Sequence, residues 1–319
     1  MITDGGGPVT EDARTPGSLP VAELRALKER LVALDVTAGA RWAAAGALEA
    51  VRTAGRGGPV RDAGERAALA ELLQVAAWIT FDAEQQPLSR RLHLRALQLA
   101  AGERESGPAE VEPLILAVLS MQEEHLGRPA SSLRIAGSVL ARGDLPGRVA
   151  AIFHVRAGRA LARLGQGPRA ERALRTAGEL LAEGPSDRDP AWAWWFDRAE
   201  LDGHAGLARA ALGDPEGAAG LLHGAAYAGG DGPAYRVLFA AELARVLARG
   251  GDWHEAEAVM SGLVGAVPGI GSVRALRVMV DAVRLVGQGH RVPRPVRATA
   301  RDLGHVLRGV GGVRGMRDR

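Results

Sequence analysis

The sequence predicts an all-α fold, built as a stack of antiparallel helix pairs, on three observations. Ala, Leu, Arg and Glu, which lose little rotamer freedom in a helix, dominate the composition, and aromatics make up only 4% of it. Glycine-centred bends at Leu126-Gly127-Arg128-Pro129, Leu164-Gly165-Gln166, Leu212-Gly213-Asp214-Pro215 and Arg249-Gly250-Gly251-Asp252 each follow one helical apolar pattern and precede another. Small residues then recur at fixed distances from those bends.

Gly127, Gly165, Gly213 and Gly251 are spaced by 38, 48 and 38 residues, repeat-sized periods with one insertion. Seven residues before them stand Ser120, Gly158, Gly206 and Ala244, and five after them stand Ser132, Ala170, Ala218 and Ala256. An anchor at Glu84 extends the register upstream, with Ala77 before it and Ser89 after it. Small residues on both helices let a pair approach closely, and each pair must bury its other apolar face on the next, which makes a solenoid. Apolar periodicity places fourteen helices, from 19–34 to 295–309, and includes single helices over 191–212 and 233–249.

This register resembles the tetratricopeptide repeat, where small residues flank the turn between two helices, and implies a tetratricopeptide-like superhelical solenoid. The aromatic positions of that repeat are mostly replaced here, and the periods exceed its length of about 34 residues.

The domain reading follows from composition. Residues 1–18, with Gly5-Gly6-Gly7 and no apolar run of a secretory signal, read as a disordered leader. Residues 19–289 hold the repeats, and 290–319, with eight Arg, a capping helix and a basic mobile tail. The longest apolar stretches, such as Leu114 to Met121, fall far short of the roughly 20 residues a bilayer span needs.

Several chemistries are excluded or unsupported. With no Cys there is no disulfide, thiolate nucleophile or Cys-ligated metal, which fits a reducing cytoplasm. A formal charge of +3, from 40 basic and 37 acidic residues, does not itself indicate nucleic-acid binding. No Gly-x-x-x-x-Gly-Lys-Ser/Thr loop or Gly-x-Ser-x-Gly elbow occurs, so no cofactor and no catalytic residue is expected. Asp197, Glu200 and His204 share a helical face, but lack the second His at i+4 that a zinc helix supplies, and no metal is expected.

A second resemblance rests on particular segments: Trp78-Ile79-Thr80-Phe81-Asp82, Ser89 to Leu97, Ser120-Met121-Gln122, His125 to Pro129, and Asp189-Pro190-Ala191-Trp192-Ala193-Trp194-Trp195. From about Leu19 to Val267 the chain resembles the C-terminal, tetratricopeptide-like sensor region of actinobacterial Xre-type helix-turn-helix regulators. No DNA-reading unit stands before Leu19. The resemblance therefore implies a regulatory or sensor module without its own DNA reader, or a fragment of a longer protein.

In a tetratricopeptide register the concave wall comes from the first helix of each pair, at two, three, six and ten residues before the bend. Those offsets select Gln74, Trp78, Phe81 and Asp82; Met121, Glu124 and His125; Arg159 and Arg163; and Arg245 and Arg249. The two arginine pairs, each i and i+4, present guanidinium forks suited to carboxylate or phosphate, unless they pair with Glu on adjacent helices. Trp192, Trp194 and Trp195 mark either an interface or packing at the long insertion.

The functional expectation is a cytoplasmic, non-catalytic sensor or adaptor whose groove binds a peptide, a protein or a small anionic ligand, with a homodimer as a further possibility. The alternatives are a transcriptional regulator that contacts DNA through its basic tail, and a helical-repeat enzyme using Asp82, Glu124 and His125.

Overall fold

The computed structural model describes residues 19–56, 60, 62–101, 111–229 and 234–310. The expected leader and residues 311–319 of the tail lie outside the described residues. Fourteen helices follow one another, with no strand among the described residues: α1 (Val21–Ala38), α2 (Ala40–Arg56), α3 (Ala63–Asp82), α4 (Gln86–Ala101), α5 (Glu112–His125), α6 (Pro129–Leu140), α7 (Gly147–Arg163), α8 (Gly167–Ala182), α9 (Arg198–Ala211), α10 (Pro215–Ala226), α11 (Val237–Gly250), α12 (Trp253–Ala266), α13 (Val273–Gln288) and α14 (Arg294–Gly309). None among the described residues is long and apolar enough to cross a membrane.

One local geometry makes five of the bends. Glu84, Gly127, Gly165, Gly213 and Gly251 take left-handed backbone, with φ of 61, 75, 72, 84 and 79°. The next amide donates to the carbonyl five residues before it: Gln85 to Thr80 and Arg128 to Glu123 (both 2.8 Å), Gln166 to Leu161 (2.9 Å), and Asp214 to Arg209 and Asp252 to Leu247 (both 3.1 Å). This bond satisfies the end of one helix and turns the chain into the next. Asp214 and Asp252 then cap the second helix by accepting from the amides of Gly217 and Glu255.

The small residues of the register meet at the helix crossings. Ser89 Oγ donates to the Ala77 carbonyl at 2.8 Å, and Ser120 Oγ to the Ser132 carbonyl at 3.0 Å. A Cβ on Gly158 would lie 2.8 Å from Leu174 Cγ, and one on Gly206 would lie 2.8 Å from Leu222 Cγ and 3.1 Å from the Ala218 carbonyl oxygen. Contact this close between backbones leaves room for hydrogen or a hydroxyl and for little else.

The odd-numbered helices touch in series from α1 to α13, and each even-numbered helix from α4 to α10 packs on both of its sequence neighbours. Apolar burial divides into successive clusters: one spans α1 to α5, one α5 to α9, and one α9 to α14. The end of the chain then returns to its beginning. Arg41 N donates to the Gly271 carbonyl at 2.8 Å, and a Cβ on Gly271 would stand 1.7 Å from the Ala38 carbonyl oxygen.

The expected single helix over 191–212 is two pieces. Residues Ala191–Trp195 form a 3-10 turn, and α9 begins at Arg198 because Asp197 is extended and accepts from Glu200 N at 3.0 Å, capping it. Residues 234–236 likewise form a 3-10 turn before α11.

Candidate functional site

Where the odd-numbered helices face one another, they bury charge instead of hydrocarbon. An isolated ion in such a place costs several kcal/mol, so its partners decide whether the arrangement holds. Two connected clusters result.

The first joins α1, α3, α5 and α13. Asp82, at the end of α3, accepts from Ser272 Oγ at 2.9 Å and from Arg274 Nε at 2.6 Å. The Arg274 guanidinium lies 4.5 Å from the Phe81 ring centroid and 5.3 Å from that of Trp78, so two aromatic faces and a carboxylate grip one cation. Trp78 donates through Nε1 to Asp35 at 2.9 Å. Burial, and then the nearby Asp82 charge, push the Asp35 carboxyl up to about 7, against the Trp78 bond and the Arg274 charge.

Glu84 ends this cluster. Its carboxylate is 2.9 Å from His125 Nε2 and pairs with Arg277. Burial acts to raise its pKa, but the His125 bond and the His125 and Arg277 charges outweigh it and hold the carboxyl below the usual range.

The second cluster joins α5, α7, α9 and the turn before α11. Glu124 accepts from Arg159 at 2.6 Å and lies 3.5 Å from Arg163 Nε. Arg236 reaches Asp197 at 2.6 Å and Glu200 at 3.3 Å. Burial pushes the Glu200 carboxyl up to about 7, opposed by Arg236 and Arg156. Tyr235 packs edge-on to Trp78 with ring centroids 5.3 Å apart, so the two clusters are contiguous.

At the centre of the second cluster cations outnumber their partners. Arg156 donates through Nε to the Ala117 carbonyl at 3.2 Å, and its Nη1 lies 3.1 Å from His204 Nε2. Arg159 Nη1 lies 3.0 Å from His204 Nδ1. Among the described residues no carboxylate pairs directly with Arg156, which is only 4% exposed. Burial, and then the Arg159 charge, lower its pKa to about 10, which leaves it a cation at neutral pH.

His204 cannot balance both guanidinium groups. Burial, followed by the charges of Arg156, Arg159 and Arg274, drives its pKa well below the usual value, so the ring is neutral. A neutral imidazole has one lone pair and one N–H, whereas guanidinium nitrogens only donate. One of the two contacts therefore sets N–H against N–H.

The sequence-selected residues divide accordingly. Trp78, Phe81, Asp82, Glu124, His125, Arg159 and Arg163 meet in the two clusters. Gln74 is buried in α3, and Met121 joins Phe81 and Val118 in a small apolar cluster closed from solvent. Arg245 is held by Glu242 of its own helix, Arg249 is exposed, and neither enters the network. Trp192 and Trp195 pack against the core around Phe196 and Leu201, whereas Trp194 is 52% exposed.

Asp35, Arg156, Glu200, His204, Arg236, Ser272 and Arg274 are additions that the structure brings in. Arg156 and His204 each stand nine residues before a bend, one step from the positions chosen, and so were within reach of the register. A separate open groove between α8 and α9–α10 is lined by Leu174, Leu201, Leu212 and Leu221. Its rim charges pair with each other, Arg198 with Asp202 at 2.8 Å and Arg175 with Glu179 at 4.0 Å, so the chemistry lies in the buried network instead. Compared with protein-family models and with curated proteins, the chain matches none.

Proposed function

We propose that the chain is a tetratricopeptide-like solenoid acting as a non-catalytic sensor or adaptor, of the kind found in Xre-type regulators, and that its inner channel binds an anionic group. The ligand class is a small molecule or peptide bearing a carboxylate or phosphate. The serial contact of the odd-numbered helices and the repeated bend support the solenoid reading.

One observation carries the ligand class: Arg156 is a buried cation without a direct carboxylate, and the only base near it is a neutral imidazole shared with Arg159. An oxyanion supplies acceptors to several guanidinium donors at once, which neither His204 nor the already bridged Glu124 can do. Arg163, 47% exposed at its side chain, and Arg159, 16% exposed, give the channel its edge toward solvent.

The test is calorimetric titration with inorganic phosphate, and with a short peptide bearing either a free C-terminal carboxylate or its amide. Phosphate and the carboxylate peptide are expected to bind, the amide at least tenfold more weakly, and Arg159→Ala to weaken both anions by about 10- to 100-fold, as loss of a charged hydrogen bond does. Equal affinity for carboxylate and amide would remove the reading.

A further inference from the structure

The closure between α3 and α13 differs in kind from the packing elsewhere. Within the stack, neighbouring helices share apolar clusters. No such cluster among the described residues spans α3 and α13: the apolar set of α1 to α5 and that of α9 to α14 stay separate. What joins the two ends is polar. Ser272 and Arg274 meet Asp82, Arg277 meets Glu84, and the Arg41 amide meets the Gly271 carbonyl.

Buried ion pairs of this sort fix geometry while adding little net stability, because desolvation offsets much of the attraction. A seam held only in this way can open without dismantling either apolar set. The connection into α13, Val267-Pro268-Gly269-Ile270-Gly271, is a 3-10 turn and a short extended link, which can absorb such a movement.

The seam also bears on the channel. Arg274 rests on Trp78, Trp78 packs on Tyr235, and the adjacent Arg236 binds Glu200 on the same helix as His204. Closing the seam therefore places a further guanidinium next to a cluster that already lacks acceptors, and the Arg274 charge acts on both Arg156 and His204.

We propose that closure of the α3–α13 seam is the conformational response to an anion in the inner channel: the bound anion offsets the gathered guanidinium charge and so favours the closed form that Arg274 completes. The inference rests on the channel reading above and adds what that reading lacks, a two-state element that ligand occupancy biases. By linkage, whatever holds the seam shut strengthens anion binding by the same factor.

Hydrogen exchange of the full chain, with and without inorganic phosphate at constant ionic strength, tests it. Phosphate is expected to slow exchange at the start of α13 and the end of α3 at least tenfold, and Arg159→Ala to abolish that slowing. Arg274→Glu should speed seam exchange at least tenfold while α6 and α7 stay within twofold of wild type. The exchanged pair Asp82→Arg/Arg274→Asp should restore slow exchange. That variant separates an opened seam from a damaged fold.

Phosphate that binds with no change in seam exchange overturns the coupling and leaves the channel reading intact. Phosphate that binds no variant removes both. Arg274→Glu that speeds exchange uniformly along the chain, with no recovery in the exchanged pair, makes the contact a static structural one and overturns the proposal.

Discussion

Arg274 and Asp82, 192 residues apart, lie 2.6 Å from each other with both side chains almost fully buried, and theirs is the contact by which the last helices hold the first. Removing one member leaves the other as a buried charge without its partner, which typically costs 3–5 kcal/mol. Arg274→Ala and Asp82→Ala are each expected to lower unfolding stability by about that amount. The double variant should cost about 1–3 kcal/mol less than the sum. Urea unfolding of the four proteins measures the cycle; strictly additive losses would show that the two groups do not act as a pair.

The helix crossings predict opposite results for two glycines. Gly206 faces Leu222 and the Ala218 carbonyl so closely that a methyl forces a shift, and Gly206→Ala should destabilise by about 1–3 kcal/mol despite the better helix propensity of Ala. Gly137, exposed within α6, has nothing within 4 Å of a built Cβ. Gly137→Ala should therefore stabilise by about 0.5–1 kcal/mol. Equal shifts in melting temperature would contradict the tight crossing.

Glu84 occupies a bend position that glycine holds at four others, and its left-handed backbone costs an L-residue roughly 1–2 kcal/mol. Its carboxylate offsets this through His125 and Arg277. Glu84→Ala loses the carboxylate and keeps the strain, whereas Glu84→Gly loses both. The glycine variant is expected to be the more stable of the two by about 1 kcal/mol in thermal unfolding, and the reverse order would remove the strain argument.

These residues also show what was readable beforehand. The bends and the small residues around them obey local rules, a left-handed residue closing a helix and a close crossing seven before and five after it, so one chain exposes them directly. The Asp82–Arg274 pairing follows no local rule, since the stack's total curvature brings its ends together and curvature is a sum of small rotations. Arg156 and His204 escaped selection by one position in the register. Glu200 and His204 were recognised as sharing a face, yet which charges would stand opposite that face depended on α7 and Arg236, both distant in sequence. The Trp192–Trp195 segment looked helical because its composition does, and Asp197 breaks it by capping α9.

The raised carboxyls make stability depend on pH in a definite direction. Asp35 and Glu200 titrate at about 7 in the folded chain, against ordinary values of 3.8 and 4.5. The folded state thus holds protons the unfolded state has released, and stability from these groups is full below about pH 4 and declines as pH rises to about 7. Asp35→Asn keeps an acceptor for Trp78 and removes the titration. Its stability relative to wild type should improve by about 2–4 kcal/mol between pH 4 and pH 8, a discounted figure for about three pKa units. Urea midpoints that change in parallel with pH for the two proteins would show that Asp35 ionises normally.

His204 offers the most direct view of the channel. Flanked by Arg156 and Arg159, the ring is predicted to stay neutral from pH 8 down to pH 5, with a single nitrogen protonated. Long-range nitrogen–proton spectra of histidine-labelled protein report this directly. One lone pair can satisfy only one guanidinium, so Arg159→Ala should relieve the conflict and raise the His204 pKa by removing a neighbouring positive charge. Bound phosphate should act in the same direction, because an anion between the guanidinium groups screens the ring from both. An imidazolium signal already present in wild type near pH 7 would mean that the cluster holds one more positive charge than this geometry can support without a resident anion.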